Sequence, residues 1–405
     1  NWMARVFLFD GTGLLYRAYF AVDQSLSTTT SIPTGALYGL VRMLIKFMKD
    51  NVKADEDYCA FVIDVKGGST YRKELFDQYK AHRPETPEPL LKQIEYVGEL
   101  VESFGIRLLK QPGYEADDII ATLVKRFKEN KQLYSVNEIN IVTSDKDLLQ
   151  LVDEDVFVWR VEKGVTDIKR YARKDVIERY GITPEQIGDY LSLVGDASDN
   201  VPGVPGIGEK TAVKILTEFG SVENALKNID KLPDKIRNAL LDNLEYFELS
   251  RKLVELDTEV EIDIDLKELI YRGYQKSVLL ETLKKFEFAS IIKELQLTSN
   301  LIDKADYTII SDEKELDRLY EEVSKSKKIS LDLETSSLDP FTGKIVGISI
   351  ATEEGRAYYI PINHIEGKNV EINSVRTFLQ KILSGPYKVG GHNIKFDFKF
   401  LSKLG

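Results

Sequence analysis

Short apolar runs alternate with helical stretches from Met3 to about Tyr171. Val6-Phe7-Leu8-Phe9, Ala60-Phe61-Val62-Ile63 and Ile139-Asn140-Ile141-Val142 are rich in Val, Ile and Phe. Runs of this kind read as strands buried on both faces, the mark of a parallel sheet when helices intervene. Helices are predicted over 36–48, 90–104 and 116–129. Residues 3–172 are therefore expected to form an α/β domain, with a mostly parallel central sheet and helices on both faces. From 173 to 297 the pattern is helical. Thr183-Pro184-Glu185-Gln186 offers an N-cap, a proline at the first helical position and a capping-box glutamine, and Ser221 after Gly220 caps another helix. Residues 298–306, polar and weakly patterned, read as a linker. A second α/β segment, 307–405, opens with Lys328-Ile329-Ser330-Leu331-Asp332-Leu333-Glu334 and Ile345-Val346-Gly347-Ile348-Ser349-Ile350. No internal repeat or low-complexity tract interrupts this order.

The apolar runs end on acids. Asp10, Asp64 and the pair Asp145 and Asp147 follow the three strands. Ligands of open α/β sheets collect at the carboxyl ends of strands. Glu115, Asp117 and Asp118 open a predicted helix, and Asp196 and Asp199 lie in a later loop. Taken singly, each is more often a turn former or a first-turn acid. Together they place nine carboxylates within reach of one crevice, where they repel one another unless cations intervene. Oxygen-only ligands favour Mg²⁺ or Mn²⁺ over zinc. Two such ions suit phosphodiester hydrolysis by water. Phe9-Asp10-Gly11-Thr12 is not an aspartyl-phosphatase motif, because Leu8 stands where the nucleophile is needed.

Charge and cysteine usage sharpen this only slightly. The net charge of −11 argues against a nucleic-acid partner, but setting the nine carboxylates aside leaves −2. The distribution of basic residues then decides. One cysteine, Cys59, and three histidines leave no disulfide and no zinc constellation. No signal core and no apolar run near the roughly 20 residues of a spanning helix is present, so no membrane partner and a cytoplasmic location are expected. Asn1 and Trp2 read as residues added ahead of Met3.

Two further stretches carry chemistry. Lys66 to Arg83 is locally basic, with Arg72, Lys73, Lys80 and Arg83 interleaved with Tyr71, Phe76 and Tyr79. Cations attract phosphates and rings stack on unpaired bases; a solvated helix is an equally good reading of this segment alone. Pro202 to Ala212 nearly spells a P-loop, but Glu209 occupies the lysine position and no strand precedes it. What remains is a Gly-Ile-Gly hairpin (Gly203, Gly206, Gly208) before Lys210 and Thr211 at a helix start, able to hold a phosphate without reading a base. In the last segment Asp332 and Glu334 alternate on a strand and face one side. Asp397, after His392 and Asn393, is a candidate third ligand.

These motifs, in this order, resemble the 5′-nuclease domain of the bacterial DNA polymerases I, a branch of the flap endonuclease family, over Met3 to about Leu297. The wording that carries the resemblance is Phe-Asp-Gly-Thr, Tyr-Glu-Ala-Asp-Asp, Asp-Lys-Asp, Gly-Asp-x-Ser-Asp-Asn and Gly-Ile-Gly-Glu-Lys-Thr-Ala. The resemblance implies a structure-selective, divalent-metal-dependent 5′ nuclease cutting DNA at 5′ flaps, nicks or gaps and removing RNA primers. It would work in repair and replication as a monomer at the bacterial nucleoid. It implies that Tyr79, Lys80 and Arg83 lie in an arch over the site, that Arg17 and Arg72 touch phosphates, and that Gly203–Thr211 grips duplex backbone with a K⁺ ion. Asp10, Asp64, Glu115, Asp117 and Asp118 would hold mainly one metal, and Asp145, Asp147, Asp196 and Asp199 the second. Residues 307–405 resemble the opening of a 3′–5′ exonuclease domain, with Asp332, Glu334, Asn393 and Asp397 in its first two motifs. Its third motif, Tyr-x3-Asp, and a polymerase domain have no counterpart, so the chain reads as a fragment whose last segment is expected to fall short of a full sheet. The competing reading from another class is a noncatalytic DNA-binding scaffold that recruits a separate polymerase.

Overall fold

The computed structural model describes residues 3–298, 306–337, 339–353, 355–391 and 394–404. Residues 299–305 of the expected linker, and His392 and Asn393, lie outside them. The described chain forms two compact units, divided between Ile291 and Ile292. Among the described residues no helix is long and apolar enough to cross a membrane.

The first unit is built on a six-stranded sheet in the order β3-β2-β1-β4-β5-β6. The strands are β1 (Ala4–Asp10), β2 (Tyr58–Val62), β3 (Arg107–Leu109), β4 (Val136–Thr143), β5 (Val156–Lys163) and β6 (Asp167–Tyr171). All neighbours run parallel except β5 and β6. The continuous apolar character of β1 and β2 follows from burial on both faces. Val6 and Leu8 share a core with Ile119 and Leu123 of the helix Ala116–Glu129. Phe7 and Phe9 point the other way and meet Phe47 of the helix Gly35–Asn51 edge to face, with ring centroids 5.8 and 5.6 Å apart. Helices thus cover both faces, as the alternation of side chains along a strand requires.

Strand order places the site. The chain first winds outward from β1 to β2 and β3, then returns to lay β4 on the other side of β1. The carboxyl ends of β1 and β4 therefore flank the point where winding reverses, the usual seat of a ligand in such a sheet. Asp10 ends β1, and Asp145 lies just past β4.

Residues 173–291 are helical, but they do not stand apart. Leu193, Ile207, Leu216 and Phe247 belong to the same buried cluster as the sheet residues. The expected helix start at Thr183 is a short 3₁₀ turn, Pro184–Gln186, with Gln186 Oε1 accepting from Thr183 N at 2.9 Å; the α-helix begins at Ile187. Ser221 caps Val222–Lys227 through Asn224 N. Between the helices Ile187–Val194 and Glu209–Phe219 lies the glycine hairpin.

The second unit holds a five-stranded sheet, β11-β8-β9-β10-β7, from β7 (Asp306–Ile309), β8 (Lys328–Thr335), β9 (Ile345–Glu353), β10 (Arg356–Pro361) and β11 (Lys388–Gly390). Leu331, Leu333, Ile348, Ile350, Val375 and Phe378 form its own core. Five strands suffice to bury a core here. Asp332 and Glu334 do share one exposed face of β8.

Candidate metal centre and its basic rim

The site grows from the β1 terminus. Asp10 is 4% exposed; its carboxylate accepts from Thr143 Oγ1 at 2.6 Å, across the β1–β4 seam, and from Gly13 N at 3.3 Å. A Cβ at residue 13 would lie 2.4 Å from Asp10 Oδ2, so glycine there makes room for the carboxylate. Asp64, past β2, accepts from Ala116 N at 2.6 Å, while its own N–H donates to Thr12 Oγ1 at 2.8 Å. Past β4, Asp145 accepts from Asp147 N at 2.8 Å. Asp196 accepts from Ser198 N at 2.7 Å and Ser198 Oγ at 2.6 Å.

The charges that each carboxylate meets show which of them lie together. Burial lifts Asp10 to about 7, with Asp145 and Asp64 adding repulsion. Burial, then Asp10, Asp145 and Glu115, hold Asp117 well above the usual carboxylate range. Asp147 is raised well above it by burial and by Asp145, Asp196 and Asp199. Asp64 and Asp145 are raised too, chiefly by burial. Asp196 is lowered, because the Ser198 bonds and Lys146 outweigh its burial. Eight of the nine acids expected from sequence thus share one electrostatic neighbourhood.

Asp118 is the exception. Fully buried, it accepts from Arg72 Nη1 and Nη2 at 2.7 and 2.8 Å, from Asp257 N at 2.9 Å and from Glu115 N at 3.2 Å. The last bond is a helix-capping contact. Its side chain is spent on the protein, so the expectation that Asp118 is a ligand beside Asp117 is not met by this geometry. Arg72 is corrected with it. Only 1% exposed, it also donates to the carbonyls of Leu253 (2.9 Å) and Glu255 (2.6 Å) and pairs with Glu115 at 3.2 Å. It cannot reach a phosphate from there. Arg17 is turned to the carbonyls of Gly164, at 3.2 Å, and Glu162.

The basic segment forms a short helix, Thr70–Leu75, and then tight turns through residue 83. Lys80 Nζ lies 2.5 Å from Glu115 Oε1 and 3.6 Å from Asp199 Oδ2, and Arg83 pairs with Asp199. Burial alone would lower the Lys80 pKa; Glu115 and Asp199 overturn that, and its net displacement is upward. Tyr79, 5% exposed, donates to Glu115 Oε2 at 3.1 Å. It is therefore placed beneath the turn, out of stacking reach, contrary to its expected contact with an unpaired base.

Among the described residues no three acids form a ready-made cage for one ion. The donor set nevertheless fits hard divalent cations. It is all oxygen, its inner members repel one another, and Asp147 Oδ1 is buried with no hydrogen-bond partner. Lys80 and Arg83 sit on the rim as protein-borne positive charge. Sequence reasoning missed Thr12, Thr143 and Lys146, whose Nζ is 3.6 Å from Asp196 Oδ2. Lys146 and Thr12 had a signal, in the Asp-Lys-Asp and Phe-Asp-Gly-Thr motifs; Thr143 had none.

In the hairpin, Gly203 and Gly206 have φ of 66° and 87°. A Cβ on Gly203 would sit 2.5 Å from Gly195 N, so that glycine is required by close packing against the Val194–Gly195 backbone. Lys210 and Thr211 follow in the first turn of the helix Glu209–Phe219. In the second unit Asp397 is 1% exposed and its Oδ2 has no hydrogen-bond partner; burial, then Asp332, raise its pKa. The charge of Asp332 thus reaches Asp397, while Asn393 lies outside the described residues.

Comparison with known proteins follows the same division. Residues 5–181 match the 5′-3′ exonuclease N-terminal resolvase-like domain, 182–277 the 5′-3′ exonuclease C-terminal SAM fold, and 307–405 a 3′-5′ exonuclease. A 5′-3′ exonuclease of Aquifex aeolicus is 39% identical over 293 residues, covering 72% of this chain and 96% of that protein. DNA polymerase I of Caldicellulosiruptor bescii is 40% identical over 298 residues (73% of this chain, 34% of that protein), and that of Pseudomonas aeruginosa 33% over 422 residues (98% and 45%). The chain thus spans between 34% and 45% of the length of these polymerases. In fold it is similar to the T5 D15 protein co-crystallized with metal ions, with a TM-score of 0.51 and 23% identity, covering 70% of this chain and 98% of that one.

Proposed function

Because this chain belongs to the 5′-3′ exonuclease family, we propose that its first unit is a structure-selective 5′ nuclease. It hydrolyses phosphodiesters where a 5′ flap or nick meets duplex DNA, and removes RNA primers in the same way. The family of the second segment and the relatives named DNA polymerase I favour a setting in repair and replication. The observation that carries the reading is the row of mutually repelling buried carboxylates at the reversal point of the sheet, rimmed by Lys80 and Arg83.

Asp10, Asp64, Glu115 and Asp117 would hold one divalent ion, Mg²⁺ or Mn²⁺, and Asp145, Asp147, Asp196 and Asp199 a second. Bound there, such ions lower the pKa of a water and stabilise charge on the attacking and leaving oxygens. The chain's own residues do the rest. Lys80 and Arg83 exchange their carboxylate partners for the scissile phosphate and hold it over the acids. Tyr79 fixes the orientation of Glu115 from below. Thr143 and Gly13 N–H hold Asp10, and Ala116 N–H holds Asp64, so neither must reorient on binding. Arg72 and Asp118 anchor the helix start that presents Glu115 and Asp117. The hairpin at Gly203–Thr211 grips duplex phosphates, with K⁺ as a candidate ion, and gives affinity without base reading. Asp332, Glu334 and Asp397 form a separate acidic site in the second unit.

Incubating the chain with a 5′-labelled flap duplex and Mg²⁺ tests this. A labelled product released at the junction is expected. DNA binding by the folded chain without cleavage would overturn the assignment in favour of the noncatalytic scaffold.

A further inference from the structure

The turn that carries Lys80 and Arg83 is docked on the loop that carries Asp196 and Asp199. Lys80 N donates to Asp199 O at 2.8 Å, and Arg83 Nε to Ser198 O at 3.4 Å. A third bond comes from a side chain with no assigned role: Asn200 Nδ2 donates to Gln78 O at 2.7 Å. Both loops bend sharply where they meet, with left-handed φ of 56° at Lys80 and 59° at Asn200.

We propose that Asn200 is a positioning residue that fixes the 78–83 turn, and with it the Lys80 ammonium, over the carboxylates. The inference rests on the nuclease reading for its catalytic consequence, though not for its structural one. Asparagine tolerates the left-handed region better than most residues, so backbone conformation alone could account for it. Glycine would serve that need at least as well. What glycine lacks is the amide that reaches the Gln78 carbonyl, two residues before Lys80. Without that bond, the loop holds the turn only from Lys80 onward, through the Lys80 backbone and the Lys80 and Arg83 side chains, and the Gln78 side of the turn is released. A displacement of about 1 Å of a phosphate-orienting group is enough to cost on the order of a hundredfold in rate.

The pair Asn200→Gly and Asn200→Asp separates the explanations. Asn200→Gly keeps the backbone conformation and removes the amide. Asn200→Asp keeps the shape but sets an acceptor against a carbonyl. The first readout uses neither DNA nor metal: limited trypsin digestion of the full chain, scoring cleavage after Lys80 by mass spectrometry. Arg83 precedes Pro84 and is resistant, so the Lys80–Ala81 bond reports the turn alone. Both variants should be cut several-fold faster than wild type there, with unchanged rates elsewhere. The second readout is single-turnover cleavage of a 5′-flap duplex at saturating protein in Mg²⁺. The rate constant should fall about ten- to a hundredfold while Kd for the same duplex in Ca²⁺ stays within about twofold. If Asn200→Gly matches wild type in both assays, the residue serves its backbone only and the proposal is wrong. If wild type itself does not cleave DNA, the nuclease reading fails while the trypsin comparison still decides whether Asn200 holds the turn.

Discussion

Replacing Arg72 by methionine would separate a buried clamp from a phosphate contact. Methionine fills most of the volume of the arginine stem but cannot donate. Asp118, with no exposed surface, would lose bonds of 2.7 and 2.8 Å and keep only those from Asp257 N and Glu115 N. The carbonyls of Leu253 and Glu255 would lose a donor as well. Removing one partner of a buried ion pair typically costs about 3–5 kcal/mol, because the other charge stays behind in a poor solvent. The double variant Arg72→Met with Asp118→Asn should recover part of that, with a coupling of about 1–3 kcal/mol in the double-mutant cycle. Urea unfolding followed by tryptophan fluorescence measures it cleanly, since neither tryptophan lies in the second unit. DNA binding supplies the opposing test. A residue that touches phosphate contributes about one to the slope of log K against log salt. Arg72→Met should leave that slope unchanged, measured at a temperature where the variant is folded. A slope reduced by about one, with stability within about 0.5 kcal/mol of wild type, would refute the clamp and restore the phosphate contact.

Gly203→Ala should destabilise the first unit by about 2 kcal/mol or more, because its Cβ would meet backbone at 2.5 Å and its φ is 66°. Gly208→Ala, whose Cβ meets open space, should leave the urea midpoint unchanged but weaken duplex binding if a phosphate approaches the hairpin backbone there. In EDTA the stability contributed by Asp10 should be present below about 3.8 and lost as pH rises through about 7, since its folded value lies above its unfolded one. Urea midpoints at pH 5 and pH 8 should therefore differ less in Asp10→Asn than in wild type, and an equal difference would count against the burial of that charge. Asp117→Asn should raise the midpoint in EDTA at pH 8 and shrink the further rise on adding Mg²⁺; a lowered midpoint would show that the charge is compensated without ions.

Much of the fold was legible because burial writes itself into short apolar runs. The helix at 116–129 was bounded correctly, since its acidic start and its periodicity agree. Asp10, Asp64 and Asp145 were legible as a set because strand ends in a parallel sheet converge. Asp118 shows where that logic stops. In the first turn of a helix, a residue three positions after an acid can serve as ligand or as cap, and only its partner decides. That partner, Arg72, is 46 residues away, in a basic run whose other members are at or near the surface. Local charge made the run look like one surface, whereas the fold buries a single member of it. Tyr79 follows the same rule: its hydroxyl suggests an exposed ring, but Val201 and Leu253 close over it.

The placement of cations explains why this arrangement favours chemistry over stability. The ion pairs made by Lys80, Arg83 and Lys146 end on Glu115, Asp199 and Asp196, all on the outer side of the acidic row. The inner members are held differently. Asp10 relies on a hydroxyl and a backbone N–H, and Asp147 leaves one oxygen without any donor. Neutral donors offset part of a buried carboxylate's desolvation but leave its charge in place. A fold selected for stability alone would have set apolar residues here, as Val6 to Phe9 of β1 are. The inner row is therefore a standing cost that mobile positive charge can relieve, whether as ions on the acids or as ions that in turn admit a phosphate. In the proposed function the rim cations, bound to the outer acids only, would stay within reach of that phosphate. One electrostatic gradient, negative at the strand ends and positive at the 78–83 turn, would in the proposed function serve both to gather the ions and to orient what they act on.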